Sequence, residues 1–315
     1  MTTEQIWELV TCDDPLGPLV GHLTERIWTA EALNAAAGAS DLDSYLSRGE
    51  HATSAFERAV YDIYSDLYSL LEGPHERKQR VDDLFALDEF TLVIFDALSL
   101  REMPLVLETF AAAGLDAKAD YALSCVPSDT SEFTYAHFHA SGPSVITETL
   151  FSGGLAYRYV KTQDWTPDFT AADRKRLVWT LYPDDMFNLD HDAVSYDEHI
   201  LRPVQRILES LLAADPVLPL VVTSDHGYIW QGGTAFWGVG ADEGAVLSEH
   251  FKQGRCTNEA TVELTTSTDK AWVSGPKAAA RGRFAWGGKV KGPTKLFKHG
   301  GVSLMECVTP WVSTQ

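Results

Sequence analysis

Apolar positions along the chain follow two rhythms, and the change between them comes near residue 90. Before it they recur at helical spacing. In HATSAFERAVYDIYSDLYSLLEG, Phe56, Val60, Ile63, Tyr64, Leu67 and Leu70 share one face, and Gly73-Pro74 ends the run. The following ERKQRVDD reads as charged helix or linker. From Thr91 onward the apolar runs become short, branched and continuous. TLVIFD and LPLVVTSD have the look of strands buried on both faces, and YALSCV and RLVWTLYP are weaker versions of the same pattern. Between them, PLVLETFAAAG and YDEHILRPVQRILESLLAADP return to helical spacing, the second opened by Ser195 and Glu198 in a capping-box arrangement.

Strands that alternate with helices of ten or more residues predict an α/β fold with a mostly parallel central sheet covered on both faces. The division expected is a helical N-terminal region over 1–88 and a sheet-bearing domain over 89–315. After Trp230 the helical rhythm weakens, and TVELTTS, KAWVSG and RGRFAWGG predict short strands in an antiparallel addition or covering loops. GVSLMECVTPWV predicts a returning strand preceded by a turn of helix. In sheets of this kind, polar residues at the carboxyl ends of the strands converge on the ligand.

Composition narrows the setting. With 315 residues and 45% hydrophobic content the chain can fill a sizeable core. Its 25 Lys and Arg against 45 Asp and Glu give a net charge of −20, which repels polyanions and anionic membrane surfaces. Direct, unguided binding of duplex nucleic acid is excluded on this ground, since no long basic run replaces phosphate counterions. A phosphate-ester or nucleotide substrate stays open if a metal or a local cluster of bases holds its charge. Cys12, Cys125, Cys256 and Cys307 are scattered and form no CxxC pair, which points to a reducing compartment. The opening MTTEQIWELV lacks the sections of a signal peptide, and the apolar runs fall short of a bilayer span, so the expected location is the cytoplasm, away from membranes.

Two of the buried strands end in potential ligands, Asp96 in one and Asp225-His226 in the other. Carboxylate and imidazole suit zinc, manganese or iron, and a strand-end acid has its backbone held by the ladder. A single acid in such a place is as often a helix cap or turn former. The triplet DHG is sharper, because Gly227 permits a tight turn that leaves both preceding side chains facing one centre. His299 stands before two glycines, where it either projects inward or lies on a surface turn. FNLDHDAVSYDEH adds Asp190, His191, Asp192, Asp197 and His199, some of which serve the start of the helix. Thr130, in PSDT, either caps the helix that follows or faces the acids.

IFDALS, VPSDT, TSDHG and HGGVSLMECVTP, in that order, resemble the PglZ domain, a branch of the alkaline phosphatase superfamily. The likeness runs from about Thr91 to Trp311 and leaves the N-terminal helices uncovered. It implies the three-layer α/β fold of that superfamily and two divalent metal ions, zinc or manganese, that hydrolyse phosphate esters. Carried over residue by residue, it makes Asp96, Asp225 and His226 ligands of the ion beside the nucleophile. It makes His299 a ligand of the other ion, with Asp190 as its carboxylate, and Thr130 the nucleophile, with Ser128 and Ser131 as the alternatives if the loop is registered differently. It also implies a place in bacterial systems that exclude phage, with protein partners in a defence complex.

The resemblance departs from pattern in the second arm. The superfamily supplies an Asp and a His four residues apart there, and this chain has Val194 after Asp190. His191, Asp192 or a folded-back His199 are the substitutes. Positive charge for the phosphoryl oxygens is also scarce near the motifs; Arg101 is the nearest base, with a helix-surface role as its plainer reading, and the stretch from Lys270 to Lys298 holds others. Three functions fit: a phosphodiesterase or nuclease of PglZ type, a phosphomonoesterase, or a scaffold with an incomplete site that acts through protein partners.

Overall fold

The computed structural model describes residues 11–12, 14–63, 67–72, 80–146, 154–188, 195–232, 235–252, 254–261, 264, 268–286 and 296–314. Its helices, in chain order, are α1 (Leu16–His22, continued by a π turn over Leu23–Ile27), α2 (Ala30–Gly38), α3 (Leu42–Ile63), α4 (Leu67–Glu72), α5 (Arg80–Phe85), α6 (Met103–Ala112), α7 (Thr130–Phe138), α8 (Arg202–Ala213, preceded by a π turn over Asp197–Leu201), α9 (Ala241–Phe251) and α10 (Leu304–Cys307). The long strands are β1 (Phe90–Asp96), β2 (Ala117–Leu123), β3 (Leu155–Val160), β4 (Lys175–Pro183) and β5 (Leu220–Ser224). Shorter ones follow: β6 (Ile229–Trp230), β7 (Trp237–Gly238), β8 (Cys256–Thr257), β9 (Ala271–Ser274), β10 (Lys277–Ala280), β11 (Phe284–Ala285) and β12 (Phe297–Lys298), and the chain closes on β13 (Val308–Thr314).

Among the described residues, six strands form the central sheet in the order β2-β13-β5-β1-β4-β3. β1 pairs in parallel with β4 and β5, and β3 in parallel with β4. Only the returning β13 runs the other way, from Val308 opposite Leu123 to Thr314 opposite Ala117. The fold is therefore mixed α/β with a mostly parallel sheet, as the spacing of apolar runs predicts. Residues alternate across a strand with period two, and the core divides accordingly. Phe90, Leu92, Ile94, Leu177, Trp179 and Val221 face a layer built on α5 and α7, through Val81, Leu84, Phe133 and Phe138. Val93, Phe95, Val178 and Val222 face the other way, onto Val106, Phe110, Val204 and Ile207 of α6 and α8. An unbroken apolar run is what a strand covered on both sides requires.

The N-terminal helices join the second of these layers. Leu19, Trp28, Tyr45 and Val60 share a core with Val93 and Phe95. Of the apolar stripe read from sequence, Phe56, Val60 and Leu67 are buried and Ile63 is exposed. The contact is also electrostatic. Glu50 and Glu57 of α3 are fully buried, and Arg101 and Arg283 reach them from the sheet-bearing part of the chain. Arg101 is thus neither a helix-surface charge nor a base offered to substrate. It donates to Glu50 and, through Nη1, to Ser99 Oγ at 2.8 Å, and its guanidinium lies 4.1 Å from the centre of the Tyr228 ring. Among the described residues no helix is long and apolar enough to cross a membrane.

Candidate active site

Parallel neighbours end at the same edge of a sheet, so the order β5-β1-β4 brings three strand-end acids side by side: Asp225 after β5, Asp96 closing β1 and Asp184 following β4. Asp96, Asp225 and His226 form a buried cluster in which one ligand atom from each lies within 4.8 Å of the others. The local sequence explains how each is held. Asp225 Oδ1 accepts from the backbone N–H of Ala97 at 3.1 Å and of His226 at 3.0 Å, with Ser224 Oγ at 3.3 Å. Its other oxygen, Oδ2, is buried and accepts no hydrogen bond. His226 Nδ1 meets the Gly227 carbonyl at 2.9 Å, which makes Nδ1 the donor and leaves the Nε2 lone pair 3.6 Å from both Asp96 Oδ1 and Asp225 Oδ2. Gly227 has a reason other than the one expected from sequence. A Cβ there would lie 2.1 Å from the Met305 carbonyl oxygen, so glycine is required by close approach of α10.

Thr130 opens α7 at its first position. The cap belongs to Asp129, whose side chain accepts from Ser131 N–H. That frees the threonine hydroxyl to face inward, 3.2 Å from Asp96 Oδ1 and 3.1 Å from His226 Nε2. Neither neighbouring serine competes for this place: Ser128 is fully buried and donates to Gly301 O at 2.7 Å, and Ser131 is exposed and bonds Asp129. His299 stacks on His226, ring centroids 4.3 Å apart, and its Nε2 lies 3.4 Å from Asp184 Oδ1.

Asp184 is the residue that sequence reading passed over. It follows an apolar strand, RLVWTLYP, by the same rule that singles out Asp96 and Asp225, but the richer cluster of acids and histidines just downstream masks it in the sequence. Asp190, His191, Asp192 and Val194 lie outside the described residues. His199 sets its Nδ1 against the backbone of Ser195, 3.1 Å from Ser195 N, rather than folding back to the site.

Electrostatically the cluster is unbalanced as a set of bare side chains. Burial, then the Asp225 and Asp184 carboxylates, push the Asp96 carboxyl well above the ordinary aspartate range, with the Thr130 hydroxyl opposing them. Burial works against the His226 imidazolium, but Asp225, Asp184 and the Gly227 carbonyl outweigh it and His226 is pushed up. His299 is pushed down, first by burial and then by His226. Three carboxylates and two imidazoles, with Asp225 Oδ2 buried and unpaired, form a donor set suited to a divalent cation, since oxygen and nitrogen ligands of this kind suit zinc or manganese. Asp96, Asp225 and His226, with the Thr130 hydroxyl, fit one ion; Asp184 and His299 are the described groups suited to a second.

No family model and no curated protein matches the chain. Solved structures with a similar course include murine ectonucleotide pyrophosphatase/phosphodiesterase 5, at 12% identity and a TM-score of 0.46 over 71% of this chain and 87% of that one. Phosphonoacetate hydrolase from Sinorhizobium meliloti, in complex with phosphonoacetate, follows at 12% identity and a TM-score of 0.42 over 71% and 89%. Likeness at this level decides nothing about the chemistry of this chain.

Proposed function

We propose that this chain is a metal-dependent hydrolase of phosphate esters with Thr130 as its nucleophile. One observation carries the reading: a threonine hydroxyl, relieved of helix capping, points into a buried Asp96–Asp225–His226 cluster that has ligand atoms to spare. A bound divalent ion supplies Lewis-acid charge, which favours the alkoxide of a coordinated hydroxyl and offsets charge on phosphoryl oxygens. The chain's own groups do the rest. Asp225, tied through Oδ1, and His226, tied through Nδ1, fix the cluster before substrate arrives, so little reorganisation remains. Asp96 and His226 hold the Thr130 oxygen at the rim, and Asp96 Oδ1, 3.2 Å away, is the acceptor for its proton. Attack by Oγ on phosphorus, its proton passing to Asp96, forms a phosphothreonine as the bond to the ester oxygen breaks, and the departing alkoxide takes up that proton; attack by water on the same phosphorus then breaks the Oγ–P bond, releases the phosphate product and returns a water proton to the threonine oxygen.

The finer assignment is a phosphodiesterase or nuclease of PglZ type, using zinc or manganese at two positions and working with protein partners in the cytoplasm in defence against phage. The four ordered motifs support it, and the pairing of His299 with Asp184 supports the second ion. The test is elemental analysis of metal per chain, followed by turnover of para-nitrophenyl mono- and diesters with each metal. Tight metal with diester turnover supports the assignment. Monoester turnover alone would replace it with a phosphomonoesterase, and metal-free, inert protein would leave the scaffold.

A further inference from the structure

A histidine before two glycines stays in place only if the turn itself is tied down. Two buried devices do this for His299. From the side of the nucleophile loop, Ser128 Oγ donates to Gly301 O at 2.7 Å and accepts from Gly300 N–H at 3.1 Å. From the other side, Glu306 Oε1 accepts from Gly301 N–H at 2.8 Å and its Oε2 from Ser303 Oγ at 2.7 Å. Glu306 is itself held by Arg255, Nε to Oε1 at 2.7 Å and Nη2 to Oε2 at 3.0 Å. The rest of the guanidinium is spent on backbone carbonyls, of Phe284 through Nη1 and of Ala280 and Gly282 through Nη2. Arg255 is 1% exposed and Glu306 fully buried. A Cβ on Gly301 would lie 2.5 Å from Arg255 Nη2, so the guanidinium occupies the space that any other residue at 301 would need.

We propose that Ser128, Glu306 and Arg255 are positioning residues that set His299 opposite Asp184, and that Ser128, two positions before Thr130, ties the nucleophile loop to the His299 turn. The proposal rests on the reading of His299 as a metal ligand. None of the three residues touches the Asp96–Asp225–His226 cluster through its side chain in the contacts described, so their loss should act on one arm of the site and spare the other. A charged pair at this depth, with all its donors and acceptors engaged, gives the turn one geometry, and outer partners of a metal ligand commonly change affinity by about 10- to 100-fold.

The experiment uses the full chain and three readouts: zinc bound per chain by elemental analysis and titration, amide hydrogen exchange at Gly300 and Gly301 by NMR, and the imidazole nitrogen shifts of His299. The variants are Ser128→Ala, which leaves no buried charge behind, and Glu306→Gln. Expected is loss of one zinc of two, its affinity falling about 10- to 100-fold, with the other retained, together with at least ~10-fold faster exchange at both glycines and altered His299 shifts. If Glu306→Gln fails to fold, Ser128→Ala decides alone. Should the wild type bind a single zinc, the second-ion reading fails, and glycine exchange with the His299 shifts in the metal-free chain still decides the positioning role. Unchanged exchange and shifts in a folded Ser128→Ala variant overturn the proposal whatever the metal count.

Discussion

Asp225→Asn should move metal affinity and metal-free stability in opposite directions. Asn can keep the acceptor that now takes the Ala97 and His226 N–H groups, and it places an NH2 where Oδ2 is bare, facing the His226 Nε2 lone pair. The backbone geometry is therefore kept while one negative charge disappears. Ligand atoms of the cluster lie within 4.8 Å of one another, and two unit charges at that distance repel by on the order of 3 kcal/mol at an effective dielectric of 20. Protonation of Asp96, already favoured by burial and by Asp225, removes part of this, so a gain of about 1–2 kcal/mol in metal-free stability is expected, or about 2–4 °C in Tm for each kcal/mol.

The same pair fixes the pH dependence. A carboxyl whose folded pKa is raised contributes stability at low pH that is lost as pH rises through the folded value. Metal-free wild type should accordingly lose stability relative to Asp225→Asn as pH climbs from the ordinary aspartate range near ~4 toward neutrality. With zinc present the order reverses, because the variant lacks an anionic ligand and its affinity should drop by more than ~100-fold. Urea unfolding in chelator, compared at equal m-value, and zinc titration provide the two readouts. Wild-type zinc affinity in the variant, or a metal-free variant less stable than wild type by more than ~2 kcal/mol, would refute the reasoning.

Three further outcomes follow from the geometry. Asp184→Asn should release one ion and retain the other, which elemental analysis checks; retention of both ions would remove Asp184 from the site. Gly227→Ala sets a Cβ 2.1 Å from the Met305 carbonyl and should cost about 1–3 kcal/mol in urea unfolding, along with weaker metal binding, whereas wild-type stability would show that α10 gives way freely. Arg283→Met leaves Glu57 buried without its charge partner and should cost about 3–5 kcal/mol; a loss under ~1 kcal/mol would mean that Glu57 is neutral in the native chain, the direction in which burial already pushes it.

Parts of this were open to a reader of the sequence and parts were not, for physical reasons. TLVIFD and LPLVVTSD announce themselves because a strand covered on both faces must be apolar at every position, and the acids that end them then stand out. The convergence of Asp96, Asp225 and His226 follows from parallel neighbours ending at one edge, and Thr130 joins them because β2, on the far side of the antiparallel β13, runs the same way as β5 and ends at that edge too. Asp184 obeys the same rule after β4, yet the run RLVWTLYP is less uniform, and the crowd of acids and histidines from Asp190 onward offered a louder signal. The burial of Arg101 is not legible locally, because a charge after a strand is ordinarily solvated; it depends on Glu50, 51 positions earlier in α3, and no local pattern reveals a partner at that distance. The positioning role argued for Arg255 is equally hidden, since its contacts to Glu306 and to three carbonyls are all made across the fold.

The proposed function turns on attack by Thr130 on phosphorus from within a metal-loaded cluster. Its most direct test is turnover of bis-para-nitrophenyl phosphate by the wild type, Thr130→Ala and Thr130→Ser, each at measured zinc or manganese occupancy. A folded, metal-bearing alanine variant at least ~100-fold slower is expected, with much of the rate recovered by serine. An alanine variant that hydrolyses the diester near the wild-type rate at equal occupancy would contradict it.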